Sequence, residues 1–223
     1  MKIAVIGGTG KEGRGLVLRL AASGADEVFI GSRQAEKAQA KAEALNQQLG
    51  RRAVVGLENR AAAHAADLAI LCVPYAAHEE TLRTIAPELQ GKILVDTTVP
   101  LDPHDPLRLR RRSEQSAAEE AQRLLGDAVR VVAAFQNVSA AALQNLERAV
   151  ECDILVCGDD MAAKEAVIAL IRRLGLRAWD AGSLRMARAV EEITPLLISL
   201  NRRYGSRSAG IRITGLEETT SSS

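Results

Sequence analysis

Lys2-Ile3-Ala4-Val5-Ile6-Gly7-Gly8-Thr9-Gly10-Lys11-Glu12-Gly13 opens the chain, and this stretch decides the fold. Its first half, Lys2 to Gly7, is a short apolar run of strand type. Its second half, Gly8 to Gly13, has the spacing G-x-G-x-x-G. From Arg14 to Ala22 the apolar residues Leu16, Val17 and Leu20 recur at helical intervals, and Gly24 offers a stop. Glu27-Val28-Phe29-Ile30-Gly31 then reads as a second strand. A glycine motif alone is weak. Lodged between a strand and a helix inside a βαβ unit, it predicts a dinucleotide site; the alternative is a glycine turn used only for packing.

The three glycines have separable tasks in such a turn. Gly8 permits the tight bend, Gly10 lets the backbone approach a pyrophosphate, and Gly13 lets the helix pack closely on the strand. The helix N-terminus adds free N–H groups and partial positive charge. Gly8, Thr9, Gly10, Lys11, Glu12 and Gly13 are therefore the expected cradle.

The end of the second strand selects the cofactor. An NAD site places Asp or Glu there for the ribose hydroxyls. Here the residues are Gly31-Ser32-Arg33, with Lys37 four positions on. Arg33 and Lys37 attract a 2′-phosphate that a carboxylate would repel, and a guanidinium can fork two hydrogen bonds onto it. Ser32 can donate another, and Thr9 faces the same ribose. The expectation is NADP. The competing possibility is a solvated face on which Arg33 and Lys37 pair with Glu36.

Alternation of strand and helix continues along the chain. Ala53–Leu57 reads as a third strand, and Asn59 can cap a helix through Ala65. Asp67–Val73 is a continuous apolar strand of the kind a sheet covered on both faces requires. Ala76–Ala86 is helical, Lys92–Thr97 is a strand, Ser113–Leu125 is a helix and Val129–Phe135 is a sixth strand. Beyond Asn145, Asp153–Cys157 and Arg177–Trp179 read as strands. Lys164–Leu174 and Arg185–Arg203 read as helices, and Glu217–Ser223 as a frayed polar tail. This pattern predicts an α/β protein with a Rossmann-type, doubly wound, mostly parallel sheet and a small C-terminal helical extension. Residues 1–150 would form the NADP-binding domain, and 151–223 a small α/β region packed on it that completes the substrate cleft. Ligands in such folds lie beyond the carboxyl ends of the strands. Val73, Pro74 and Ala134 are expected to touch the cofactor there. Val99, Pro100, Gln136, Asn137 and Val138 are expected to touch the substrate.

Composition narrows the field. With 223 residues and a net charge of +1, the chain has ample core and no basic excess that would favour nucleic acid. No apolar run approaches a membrane span, and the first residues enter a strand rather than a signal peptide. Cys72, Cys152 and Cys157 are odd in number, lack C-x-x-C spacing and read as free thiols in a reducing cytoplasm. No metal-ligand cluster is visible. A basic run, Arg108 and Arg110 to Arg112, follows the proline loop after Leu101; it reads as a solvated or subunit-facing patch, or as a lure for an anionic substrate.

The chain also lacks familiar proton-transfer machinery. Tyr75 and Tyr204 are followed four positions on by Glu79 and Ser208, so Tyr-x-x-x-Lys is absent. His64 sits among alanines, His104 lies in the proline loop, and His78 reads as a surface residue. A nucleotide site without an acid–base pair suits an acceptor that is itself a flavin-like ring, where the protein supplies binding, orientation and electrostatics. No catalytic side chain is then expected.

These residues resemble the NADPH-dependent reductases of the deazaflavin coenzyme F420. The likeness rests on Gly7-Gly8-Thr9-Gly10, Gly31-Ser32-Arg33-x-x-x-Lys37 and Ser116-Ala117-Ala118-Glu119. Val156–Asp160, Asp180-Ala181-Gly182-x-Leu184, Arg188-x-x-Glu191-x-x-Thr194-Pro195-Leu196 and Gly210-Ile211 extend it over nearly the whole chain. The resemblance implies reversible hydride transfer between NADP and F420, usually by a homodimer. It implies that Thr9, Ser32, Arg33 and Lys37 hold the 2′-phosphate, and that Val99-Pro100 and the loop after Phe135 face the deazaflavin. Archaeal members carry His-Thr-Ile-Pro where this chain has Gln136-Asn137-Val138-Ser139; Gln136 can hydrogen-bond a ring carbonyl but carries no charge. FMN or FAD is the alternative acceptor, as in a flavin or ferric reductase. A non-catalytic NADP-binding sensor is a further alternative, and a pyrroline-carboxylate-type reductase would need a longer helical dimerisation region.

Overall fold

The computed structural model describes residues 1–24 and 27–217. One eight-stranded sheet runs in the order β3-β2-β1-β4-β5-β6-β7-β8. Its strands are β1 (Lys2–Ile6), β2 (Glu27–Ser32), β3 (Val54–Glu58), β4 (Leu68–Leu71), β5 (Ile93–Asp96), β6 (Arg130–Ala133), β7 (Asp153–Gly158) and β8 (Arg177–Asp180). Every neighbouring pair is parallel except β6 and β7, which meet antiparallel with Ala133 opposite Cys157. The chain reverses direction across the sheet between β3 and β4, so a crevice opens beside β1 and β4 at their carboxyl ends. The region from β7 onward extends the first sheet rather than building its own.

Both faces are covered, which explains the near-continuous apolar strands. Alternation along β1 sends Ile3 and Val5 to one core and Ala4 and Ile6 to the other. The first core takes Leu16, Val17 and Leu20 of α1 (Lys11–Ala22), Ala38, Ala42 and Leu45 of α2 (Ala35–Leu49), Leu143 of α6 (Ala140–Gln144) and Val167 and Ile171 of α7 (Met161–Arg173). The second takes Ala62 and Ala63 of α3 (Asn59–Ala65), Leu82 and Ile85 of α4 (Tyr75–Ile85), Ala118 and Ala121 of α5 (Ala117–Leu125), and Ala187 and Val190 of α8 (Ala187–Tyr204).

Several boundaries differ from the sequence reading, each for a local reason. The helix expected from Ser113 begins at Ala117, because Ser116 and Glu119 form a reciprocal capping box. The cap of α3 is Glu58, whose carboxylate accepts from Arg60 N–H at 2.8 Å, and not Asn59. The final helix is preceded by a 3₁₀ turn, Leu184–Met186. Helices α2 and α6 were not anticipated: α2 is largely polar, and α6 is only five residues. Of the tail expected to fray, residues 218–223 lie outside those described.

Candidate active site

At the mouth of the crevice the glycine turn follows β1. Gly7 carries the left-handed backbone, φ 71°, so the tight bend belongs to Gly7 rather than to Gly8. Gly8 is fixed by packing: a Cβ there would lie 2.7 Å from Val5 O and 2.8 Å from Ile30. Gly13 has the expected packing task, since its Cβ would meet Gly8 Cα at 2.6 Å. Gly10 is different. A Cβ on it would touch only Gly7 O, at 3.6 Å, so its bare face looks into open space. The first helical bond of α1 is Arg14 N–H to Gly10 O at 2.9 Å, and the amides of Lys11, Glu12 and Gly13 precede it. Packing does not require glycine at position 10. Asn59 braces this turn from behind: it is buried, and its Oδ1 accepts from Gly7 N–H at 3.2 Å.

At the end of β2, Ser32 is buried and its Oγ accepts from Gln34 N–H at 3.3 Å. Arg33 and Lys37 are exposed on the loop and first turn of α2. Neither forms an ion pair with a described residue, Glu36 included. Two uncommitted cations beside the turn suit a 2′-phosphate.

A cleft of about 820 Å³ extends from Gly10, Lys11 and Glu12 along the strand ends. Val73, Pro74, Val99 and Val138 form apolar walls, and Gln136, Thr97 and Thr98 give it polar points. Pro100, Ala134 and Asn137 do not line it. Pro100 is buried and its carbonyl accepts from Arg110 N–H. Ala134 is in the core, and Asn137 is spent on the carbonyl of Asp153, 2.7 Å away. Asn137 ties β7 to the loop after β6, a task that its position in the sequence did not reveal.

That loop begins with an unusual backbone. Phe135 takes φ 75°, rare for a bulky residue, while its ring is fully buried. The turn puts the aromatic ring in the core and the next side chain, Gln136, in the cleft.

The titratable groups around the cleft are strongly perturbed. Burial pushes the Glu12 carboxyl up to about 8; the nearby Thr97 hydroxyl opposes the shift and the charge of Asp96 adds to it. Glu12 is thus largely a neutral acid at pH 7. Burial also pushes the thiol of Cys72, at the cleft floor, well above its usual range. Tyr75 lines the cleft, but its hydroxyl lies 2.9 Å from a Glu120 oxygen and receives Arg112 N–H at 3.1 Å. Burial, together with Glu120, pushes its pKa to about 12.

His78 corrects the sequence reading. It is 1% exposed rather than a surface residue, and its Nε2 lies 2.7 Å from Asp96 Oδ2. Burial depresses its pKa, but the charge and hydrogen bond of Asp96 outweigh this and hold it above the ordinary value. The pair does not line the cleft. It anchors β5: the other Asp96 oxygen accepts from Thr98 N–H at 2.9 Å.

The basic run divides. Arg108 pairs with Asp105 at 3.3 Å and lies off the cleft. Arg110, Arg111 and Arg112 line it. Arg111 reaches α8, 3.5 Å from the buried Glu191 and 3.2 Å from Glu192. Arg112 lies 4.9 Å above the Tyr75 ring and 2.9 Å from Glu79. Glu191 accepts Ala117 N–H at 2.7 Å, and burial pushes its carboxyl to about 8. These contacts fasten the 101–116 loop across the cleft. Among the described residues no cluster suited to a metal ion is found.

The family model "NADP oxidoreductase coenzyme F420-dependent" matches residues 2–100. The F420-dependent NADP reductase of Methanocaldococcus jannaschii is 46% identical, over 97% of this chain and 100% of that one. The enzyme of the same name from Methanothermobacter thermautotrophicus is 47% identical, over 98% and 97%. A crystal structure assigned as an F420-dependent NADP reductase from Arthrobacter sp. FB24 superposes with a TM-score of 0.83 at 31% identity, over 96% of this chain and 99% of that one. Fold and cleft thus define a Rossmann-type, dinucleotide-dependent oxidoreductase. The chain belongs to the F420-dependent NADP oxidoreductase family.

Proposed function

We infer that the protein transfers a hydride between NADP(H) and coenzyme F420. The observation that carries this reading at the residue level is the bare face of Gly10, which opens into the apolar cleft that continues past Val73 and Val99. A phosphate-accepting turn and a walled ring site form one continuous space there. When bound, the nicotinamide and deazaflavin rings themselves supply the hydride chemistry. The chain's part is to hold them. Gly10 with the amides of Lys11, Glu12 and Gly13 receives the pyrophosphate. Thr9, Ser32, Arg33 and Lys37 receive the 2′-phosphate. A neutral Glu12 keeps negative charge away from those phosphates. Apolar walls exclude water from the ring faces, and the 101–116 loop covers them. Tyr75, committed to Glu120, is no proton donor, so the proton that accompanies reduction comes from elsewhere.

The homodimer that the resemblance implies finds support in α8. Leu196, Leu200 and Tyr204 recur every fourth residue and are 58%, 37% and 74% exposed. A cytoplasmic location is supported by three unpaired cysteines, which suit a reducing compartment. Among the described residues no helix is long and apolar enough to cross a membrane.

The test is NADPH oxidation with F420, FMN and FAD offered separately. Rapid turnover with F420 alone is expected. Turnover with FMN or FAD and none with F420 would move the protein to flavin reduction, and tight NADP binding with no turnover on any acceptor would make it a sensor.

A further inference from the structure

Glu12 is an acidic side chain in a turn built to receive phosphate. It follows Gly10 by two residues in the first turn of α1, lines the cleft and is half-buried. Negative charge on it would oppose a pyrophosphate on the amides of the same turn, so its role lies elsewhere along the dinucleotide. Its neighbours show where. Asp96 and Thr97, at the end of β5, act on its carboxyl, and its own charge acts on the Cys72 thiol just beyond β4. Arg33 and Lys37 stand beyond β2, on the opposite side of β1 in the sheet order.

These positions fix the direction of a dinucleotide lying across the strand ends. With the 2′-phosphate at Arg33 and Lys37 and the pyrophosphate at Gly10, the nicotinamide half extends over β4 and β5. That is the side on which the Glu12 carboxyl meets its neighbours. The nicotinamide ring is positive when oxidised and neutral when reduced, whereas the phosphate groups are alike in both forms. A titratable carboxyl beside the ring therefore meets a different field in each. No cation among the described residues forms an ion pair with Glu12. Lys11 beside it is exposed, Arg110 acts on Asp102, and Arg111 and Arg112 are engaged by Glu191 and Glu79. Burial favours the acid form of Glu12 and Asp96 adds to this, so a positive ring is the group that draws the proton off.

We propose that Glu12 discriminates between the two redox forms of the bound cofactor: as a neutral acid it tolerates the uncharged reduced ring, and as a carboxylate it pairs with the positive oxidised ring. The chemical step is a proton loss. Binding of NADP⁺ breaks the carboxyl O–H bond and releases H⁺ to solvent, while binding of NADPH leaves that bond intact. At higher pH, where the free carboxyl is already ionised, NADPH binding instead takes a proton up. The affinity for NADP⁺ relative to NADPH then rises with pH, because the complex that holds fewer protons gains as pH climbs. This rests on the NADP reading of the cleft and not on the identity of the acceptor.

The test is calorimetric titration of the acceptor-free protein with NADP⁺ and with NADPH, from about pH 6 to about pH 9, in two buffers of different ionisation enthalpy. The buffer dependence reports the protons exchanged on binding. The 2′-phosphate titrates alike in both ligands and drops out of their affinity ratio. In wild type that ratio should move toward NADP⁺ by about 10- to 100-fold across the range, the size of shift that a nearby opposite charge gives a carboxyl. Near pH 8, NADP⁺ should release at least about half a proton relative to NADPH. Glu12→Gln should flatten the ratio and remove the proton difference. Near pH 6 it should bind NADPH as wild type does, since an amide is uncharged like the acid. Two other groups near the cleft change charge with pH: His78 behind Asp96, and Glu191 behind Arg111. Glu191→Gln should leave the divergence in place. The Cys72 thiol and the Tyr75 hydroxyl titrate above the range. Parallel pH profiles for the two ligands in wild type overturn the inference and leave NADP as the cofactor, and a divergence that survives in Glu12→Gln overturns it too. The wild-type comparison needs no variant, so it stays decisive if Glu12→Gln fails to fold. Failure of wild type to bind either dinucleotide overturns the functional reading as well.

Discussion

Alanine at position 10 and alanine at position 13 should separate binding from folding within one turn. Gly10 has φ −70° and ψ 173°, a conformation open to alanine. Its new methyl group would meet only Gly7 O, at the ordinary contact distance of 3.6 Å. Gly10→Ala should therefore leave stability within about 0.5 kcal/mol of wild type. The same methyl group occupies the surface on which a pyrophosphate would rest. If it displaces the phosphate by about an ångström, at least one N–H bond from the Lys11–Gly13 amides is lost. A hydrogen bond to a charged group is worth about 1.5–3 kcal/mol, or roughly 10- to 150-fold in Kd. Gly13→Ala behaves differently. Its Cβ would lie 2.6 Å from Gly8 Cα and 3.1 Å from Gly8 C, both backbone atoms that cannot rotate away. Overpacking of this kind costs about 1–3 kcal/mol, which in a chain of this size lowers Tm by about 2–12 °C. Thermal melts of the unliganded variants, with NADPH titrations on each, read both quantities. A Gly10→Ala protein that melts as early as Gly13→Ala, or that binds NADPH as wild type does, would refute the assignment of the bare glycine to the phosphate.

Three further outcomes follow from the charges. Arg33→Ala should weaken NADPH binding about 10- to 100-fold and leave NADH binding almost unchanged, and equal losses in parallel titrations would make Arg33 structural. The carboxyls of Glu12 and Glu191 are both raised to about 8 from 4.5, so between those pH values the folded protein keeps protons that the unfolded chain has released. The stability these groups contribute is full below pH 4.5 and is lost as pH rises through about 8; Tm of the unliganded protein should fall across that window, and Glu12→Gln or Glu191→Gln should each flatten the fall. A Tm profile unaltered by either substitution would contradict the burial assigned to them. His78→Ala should cost about 3–5 kcal/mol in urea denaturation, because it strands a fully buried Asp96 carboxylate. His78→Ala with near-wild-type stability would show that water or another group replaces the imidazole.

The first half of the fold was legible because its signals are local. An apolar run, a glycine turn and an apolar helical stripe lie within 24 residues, and each implies the same unit. The absence of a carboxylate after β2 was equally plain, and Arg33 and Lys37 are exposed there with no ion pair to a described residue. What escaped depends on long-range packing. Nothing near His78 in sequence announces Asp96, 18 residues away, so an amphipathic helix with a lone histidine was read as surface. Asn137 looked like a ligand contact because it follows a strand, yet its amide bridges to β7.

The most consequential of these hidden features is the coupling of Asp96 to the cleft. Three of its polar atoms hold four partners: Oδ2 holds His78, Oδ1 holds the Thr98 N–H, and the carbonyl holds Gln136 Nε2 and the Ala134 N–H. Phe135, left-handed and buried, fixes the angle at which Gln136 arrives. Within this group Gln136 Oε1 and Thr98 Oγ1 are buried without a hydrogen-bond partner among the described residues. The network therefore fixes which way the Gln136 amide is turned, with Nε2 toward the carbonyl of Asp96. That logic cannot be read from Gln136 as a residue type, because glutamine can donate or accept. It follows only from the partner already engaged, and the partner lies 40 positions earlier in the chain.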